Sequence, residues 1–466
     1  MRYLLGVDVG TSSLKAVLFD EAANPVRTVT KDYTLKVSGS FVEFPAEQYW
    51  VLFSEALAEM TADCQITAMS IDTQCETLIV ADAAGNALTD AIVWLDNRAV
   101  SQAERIKRNF GEQRVYEITG QPEITAAWPA CKLLWLKENR PDIWPKVRRI
   151  FLLEDYLLYR LTGQFVTEST LQSSTLYYDI KKGAWWQEML DFIGISSCLL
   201  PEIRGCGEWV GEYQGIQVVT GAMDQVAGAI GAGVVKKGIV SEMTGTTMAV
   251  FVPTDQIPPY NPLSKIPCHV NYDGSYCLLS WSPTAGMALK WFKNNFCENY
   301  SFEELNRLAE VAEPGCGGLT FLPYLCGSTM PRYNPGARGA FLGLTPEHTR
   351  GHAVRSIFEA VACMLKSNLD YLKADCSEIR SMGGGARSSL WCQIKADLCR
   401  RKIVTLKNEE TACLGSAILA GTAAGLFDSV ESACADKISL NKVYLPQDTD
   451  YSECYRRFRE LENQFS

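Results

Sequence analysis

The sequence predicts an α/β protein made of two domains of one duplicated fold, and three observations predict it. Residues 4–20 read as an apolar strand, a Gly-Thr-Ser-Ser turn and a second apolar strand. Residues 238–252 repeat that form about half a chain later, with Gly245-Thr246-Thr247 where the first unit has Gly10-Thr11-Ser12. The chain's 466 residues are too many for one ordinary core and suit two domains of roughly 200 residues each.

In the first hairpin, the turn at Gly10, Thr11, Ser12 and Ser13 offers bare backbone N–H groups and hydroxyls to an anion. Asp8, just before the turn, is placed to meet a cation rather than a phosphate, so the segment reads as half of a metal–nucleotide site. In the second hairpin Met243 falls opposite Asp8. A metal is therefore expected on the first side of the cleft alone.

Charged residues are 21% and apolar residues 47% of the chain, with a net charge of -10 and scattered Lys and Arg. That balance argues against nucleic acid or an anionic membrane as a partner. No apolar run approaches the length of a membrane span, and Met1 leads directly into the first strand, so the expectation is a cytoplasmic protein. Seventeen cysteines, an odd number with no C-x-x-C pair, read as reduced, mostly buried small residues. The only histidines are His269, His348 and His352. General-base chemistry is left to carboxylates.

Neither a P-loop nor an early G-x-G-x-x-G is present, which disfavours the two commonest nucleotide folds. Two glycine clusters occur instead. In the first, Val218-Val219-Thr220 is a strand, Gly221-Ala222-Met223 a turn, and Asp224 opens a helix of small residues. An N-cap is the commoner role for such an Asp. The functional alternative is a general base that takes a proton from an alcohol attacking a phosphoryl group. In the second, Gly383-Gly384-Gly385 opens an amphipathic helix, where the missing Cβ atoms let a planar ring approach the backbone. The small-residue helix from Glu409 to Gly421 is suited to closing on another helix. Glu154-Asp155-Tyr156 starts a helix that ends at Gly163 and reads as structural, and Trp128, Trp185 and Trp186 read as core.

Together these segments resemble the FGGY carbohydrate kinases of the actin-like ATPase superfamily, from about Tyr3 to Leu426. Asp8 to Lys15, with Gly10, Thr11, Ser12 and Ser13, matches the family's first phosphate loop, and Gly245, Thr246 and Thr247 match its second. Asp224 matches the catalytic base, and Gly383, Gly384, Gly385 and Arg387 the adenosine segment. Val93 to Arg98 matches the sugar region, and Arg332 to Leu344 leads into the C-terminal signature. Lys132 to Asn139 resembles the N-terminal signature, with Ala127 unusual at its start.

The resemblance implies two actin-like (ribonuclease H-like) α/β domains, 1–239 and 240–466, flanking an interdomain cleft for ATP and sugar. It implies ATP and Mg²⁺ as cofactors, Asp8 holding the metal, and transfer of the γ-phosphoryl to a primary hydroxyl with Asp224 as base. The partners are a small sugar or polyol and ATP, with a homodimer left open. Xylulokinases usually carry Gln-Met-His and glycerol kinases Gln-Arg-Glu-Thr where this chain has Gln74-Cys75-Glu76-Thr77. The match is to the glycerol type, but a thiol cannot make a guanidinium's forked hydrogen bonds. Asp96-Asn97-Arg98 and the Arg332–Gly339 block lean towards pentulose kinases. The expected substrate is a pentulose, with tetritols, glycerol and gluconate behind it and contacts at Gln74, Cys75, Glu76, Asp96, Arg98, Asp224 and Gln225. A non-catalytic regulator that binds sugar and nucleotide is the rival, and retention of both Asp8 and Asp224 argues against it.

Overall fold

The computed structural model describes residues 2–263, 265–330 and 332–465. In the first half, β1 (Tyr3–Val9) and β2 (Ser13–Phe19) form the expected antiparallel hairpin, which β3 (Pro25–Asp32) extends. On the other side of β1 lies β4 (Ile66–Thr73), parallel to it and buried along nearly its whole length, as a central parallel strand must be. A second, five-stranded sheet is inserted after β3; α1 (Pro129–Asn139) precedes its last strand in the chain, and α2 (Leu153–Thr162) and α3 (Ser169–Gln172) follow it. As the sequence predicts, α2 stops at Gly163, whose φ of 73° is left-handed. β5 (Trp209–Tyr213) and β6 (Ile216–Val219) complete a sheet ordered β5-β6-β4-β1-β2-β3, and α4 (Asp224–Gly231) follows.

The second half repeats the scheme with β7 (Gly238–Thr244), β8 (Met248–Thr254), β9 (Cys268–Val270) and β10 (Tyr276–Ser282). Then come α5 (Phe302–Val311), α6 (Arg350–Tyr371), β11 (Cys376–Met382) and α7 (Ser389–Cys399). β12 (Lys402–Leu406), α8 (Thr411–Ala423) and β13 (Leu440–Tyr444) follow, giving a sheet ordered β9-β10-β8-β7-β11-β12-β13. The runs β3-β2-β1-β4-β6 and β10-β8-β7-β11-β12 agree strand for strand in order and direction. The two hairpins noticed in the sequence are the same element of two copies of one fold.

The halves meet along α4 and α8. A Cβ on Gly415 would lie 1.9 Å from the Ala227 carbonyl oxygen, and one on Gly231 1.8 Å from that of Thr411. Backbone touches backbone here, which is why both helices are made of small residues. The contact sits in an apolar cluster fed from both halves, including Leu4, Ile230, Leu414 and Ile418. Among the described residues, no helix is long and apolar enough to cross a membrane.

Candidate active site

Three neighbouring strands of the first sheet end at one place. β1 delivers Asp8 and the Gly10 turn, β4 delivers Asp72 and the Gln74–Glu76 loop, and β6 leads through Gly221–Met223 to Asp224. Asp8 and Asp72 are direct register partners across β1 and β4, and a bridge between Thr73 and Met223 brings the start of α4 alongside. The carboxyl ends of strands in an α/β sheet are where ligands ordinarily bind.

The carboxylates act on one another. Burial, and then the charge of Asp8, lifts the Asp224 carboxyl to about 7, although the backbone N–H of Gln225 donates to its Oδ1 at 2.7 Å. Burial likewise raises Asp8 and, more strongly, Asp72. The hydroxyl of Ser416, on α8, donates to Asp72 Oδ2 at 2.6 Å, while Oδ1 is buried without a partner. Two adjacent carboxylates, Asp8 half-buried and Asp72 buried with one unsatisfied oxygen, suit a hard divalent cation, so Mg²⁺ fits the residues present. Among the described residues, no group of three or more His, Cys, Asp or Glu could hold a metal by itself.

Glu76 has a left-handed φ of 56°, unusual for a residue with a side chain. Lys132 holds it there: its Nζ donates to the carbonyl oxygens of Glu76 at 2.9 Å and Val93 at 3.0 Å from full burial. Burial raises the Glu76 carboxyl and depresses the Lys132 ammonium, each countered in part by the other's charge. Gln74 is buried, donates from Nε2 to the Tyr49 hydroxyl at 3.1 Å, and leaves Oε1 unpartnered. Beside them the Cys75 thiol is pushed well up by burial, so the arginine position carries no charge.

Two contributors went unassigned in the sequence. Trp94 donates from Nε1 to the Thr11 hydroxyl at 3.0 Å, joining the Val93–Arg98 block to the Gly10–Ser13 turn. Asp72 stands two residues before Gln74, but only strand pairing shows that it lies beside Asp8. Asp96 and Arg98, expected to contact substrate, lie near enough to Lys132 for their charges to act on it, and their polar atoms are engaged within the fold. The Asp96 carboxylate accepts from the Val42 N–H at 2.6 Å and from Arg98. Arg98 also pairs with Glu43 at 2.6 Å and stacks 4.2 Å from the Phe41 ring centroid. Both are consumed in holding the inserted sheet. Lys15 is bound to Glu410, at the start of α8, at 2.6 Å. Gln225 sits half-buried at the first turn of α4.

The second half supplies a different surface. The Gly245 turn and the Gly384–Arg387 turn line a cavity of about 950 Å³ with Phe302, Asn306 and Trp391. That volume accommodates a nucleoside-sized ligand. Thr246 lies on its wall, while Arg387, at the mouth, pairs with Glu409 at 2.5 Å. Beneath the turn, fully buried Lys395 donates to Glu242 at 2.5 Å and to the Thr244 hydroxyl at 2.9 Å. Met243 is paired with Met382 where the first sheet pairs Asp8 with Asp72, so only the first sheet carries a carboxylate pair at this place.

Residues 3–233 match the N-terminal domain model of the FGGY family of carbohydrate kinases, and residues 244–424 match its C-terminal domain model. The chain is 30% identical over 455 residues to a xylulose kinase of Lactococcus lactis subsp. lactis, covering 93% of this chain and 90% of that one. It is 29% identical over 504 residues to a gluconokinase of Bacillus licheniformis, covering 100% and 97%. A ligand-bound xylulose kinase structure from Lactobacillus acidophilus superimposes with a TM-score of 0.91 at 26% identity, covering 100% and 98%.

Proposed function

The chain belongs to the FGGY family of carbohydrate kinases, which have the two-domain actin-like fold, and on that premise we propose that it phosphorylates a primary hydroxyl of a pentulose from ATP. The observation that carries the reading is the gathering of Asp8, Asp72, Glu76 and Asp224 at the ends of β1, β4 and β6. The domains we assign are 1–239 and 240–466, the setting is the cytoplasm, and a homodimer remains open.

Asp224 takes the proton of the attacking hydroxyl. A base held near neutrality is matched to that task, since it is ionised at working pH yet still accepts a proton. Asp8, with Asp72 beside it, would hold Mg²⁺, which would neutralise charge on the transferring phosphoryl. Backbone N–H groups of the Gly10–Ser13 and Gly245–Thr247 turns donate to phosphate oxygens as that charge moves. Gly383–Gly385 and Arg387 take the adenosine. Closure along the α4–α8 seam keeps water from the phosphoryl group.

Gln74 Oε1 and Glu76 accept sugar hydroxyls, and Trp94 lies against the carbon skeleton. Lys132, the cation acting on Glu76, is fully buried and turned to two backbone carbonyls rather than to a substrate carboxylate. That favours a neutral pentulose over gluconate, with tetritols and glycerol next. The test is ADP release with Mg²⁺ and ATP over a panel of pentuloses, tetritols, glycerol and gluconate. Strong stimulation by one pentulose is the expected result, and stimulation by gluconate alone would overturn the substrate assignment.

A further inference from the structure

We infer that Glu154, Glu168 and Thr170 are positioning residues that fix the backbone carrying Asp224, an inference that rests on Asp224 being the base. The turn Gly221-Ala222-Met223 has no polar side chain of its own, and Met223, which caps α4, makes no side-chain capping bond. Its amides are satisfied from elsewhere. Gly221 N–H donates to Glu154 Oε1 at 2.8 Å, and Met223 N–H donates to the Thr170 hydroxyl at 2.8 Å. That hydroxyl is itself oriented by donating to Glu168 Oε1 at 2.8 Å. Glu168 is held in turn by the N–H groups of Thr170 and Leu171, at 2.6 and 2.5 Å, and by the Cys206 thiol at 3.2 Å.

The turn is gripped on both sides of Ala222 and cannot retreat, because a Cβ on Gly221 would lie 1.9 Å from the Ile71 carbonyl oxygen on β4. Glu154, Glu168 and Thr170 are all fully buried. Burying carboxyl groups is costly, and well-packed apolar side chains serve stability as well or better. What the carboxyls provide and apolar groups cannot is a fixed acceptor for a named amide. A base displaced by about an ångström loses on the order of 100-fold in rate, so two such acceptors on the three residues before Asp224 bear directly on turnover.

The test compares Glu154→Gln, which keeps the acceptor oxygen, with Glu154→Leu, which removes it, and Thr170→Ser with Thr170→Val. Leu157→Ala, a fully buried position on α2 whose truncation lowers stability without touching the turn, is the packing control. Glu154→Leu and Thr170→Val should lose roughly 10- to 100-fold in kcat with the KM for ATP little changed. The Gln and Ser variants should keep most of the rate, and Leu157→Ala should keep it at an equal loss of Tm. Amide hydrogen exchange at Gly221 and Met223 should accelerate only in the Leu and Val variants. If Glu154→Leu fails to fold, Thr170→Val decides, since it removes one hydroxyl and little volume. Unchanged exchange at both amides, or a kcat that follows Tm across all five variants, overturns the inference. Asp224→Asn assayed beside them keeps the two readings apart: full activity there refutes the base, while the exchange data still judge the clamps.

Discussion

Replacing Asp224 with Asn is expected to abolish turnover and, at the same time, to stabilise the folded chain at pH 8. The carboxyl is lifted from 3.8 to about 7, first by burial and then by Asp8. Three units at 1.36 kcal/mol each amount to about 4 kcal/mol of cost for keeping it ionised. Because the group faces a partly solvated cleft, about half of that, roughly 2 kcal/mol, is the expected gain. The sign follows from the raised pKa. The favourable term is fully present below the unfolded value near 4 and is lost as pH rises through about 7. Wild type and Asp224→Asn should therefore unfold together at pH 4 and separate as the pH rises to 8, by about 4–8 °C if the first half melts as one unit. Thermal melts across that range, paired with the ADP-release assay, measure both effects. Turnover should fall by on the order of 100- to 10,000-fold. A variant that melts with the wild type at pH 8, or that keeps a tenth of its rate, refutes the reasoning.

Arg98→Met should lower stability by about 3–5 kcal/mol, because it strands the buried Asp96 carboxylate, and should leave the sugar KM nearly unchanged; denaturant melts and saturation kinetics read the two effects. Glu76→Gln should raise the sugar KM roughly 10-fold or more while sparing ATP binding, as loss of a charged hydrogen-bonding group does. Gly415→Ala should cost about 1–3 kcal/mol or more and lower kcat, because its new methyl meets the Ala227 carbonyl across the α4–α8 seam. Asp8→Asn should raise the Mg²⁺ needed for half-maximal rate, and chelation with EDTA should stop wild-type turnover; a Mg²⁺ titration that does not move would remove Asp8 from that role.

Much of the site was legible because its chemistry is local. The Gly10 and Gly245 turns, the helix opened by Asp224 and the glycine turn at 383–385 each declare themselves within about ten residues, through apolar runs interrupted by residues that permit tight turns. Trp94, Asp72 and Lys132 did not, because their parts depend on partners distant in sequence: Thr11, Asp8 and the Glu76 carbonyl. For Asp96 and Arg98 the sequence could not show which partners the motif would find. A short polar motif says that hydrogen bonds will be made, and the fold directed these to Val42, Glu43 and Phe41. Glu154 began a helix as read, yet its carboxyl ends on Gly221, which no feature of α2 announces.

By itself the sequence determined the class of fold, its duplication, the glycine turns proposed to meet phosphate and the carboxylates proposed as base and metal ligand. These follow from strand periodicity, glycine placement and residue chemistry, all of which are written along the chain. Only the tertiary structure decided which carboxylates share a site, which cation is already engaged and what holds the base in place. Such properties arise from register across β1, β4 and β6 and from the meeting of α4 with α8, contacts between residues up to several hundred positions apart. Burial then sets the charge states, and burial belongs to the assembled fold rather than to any one segment.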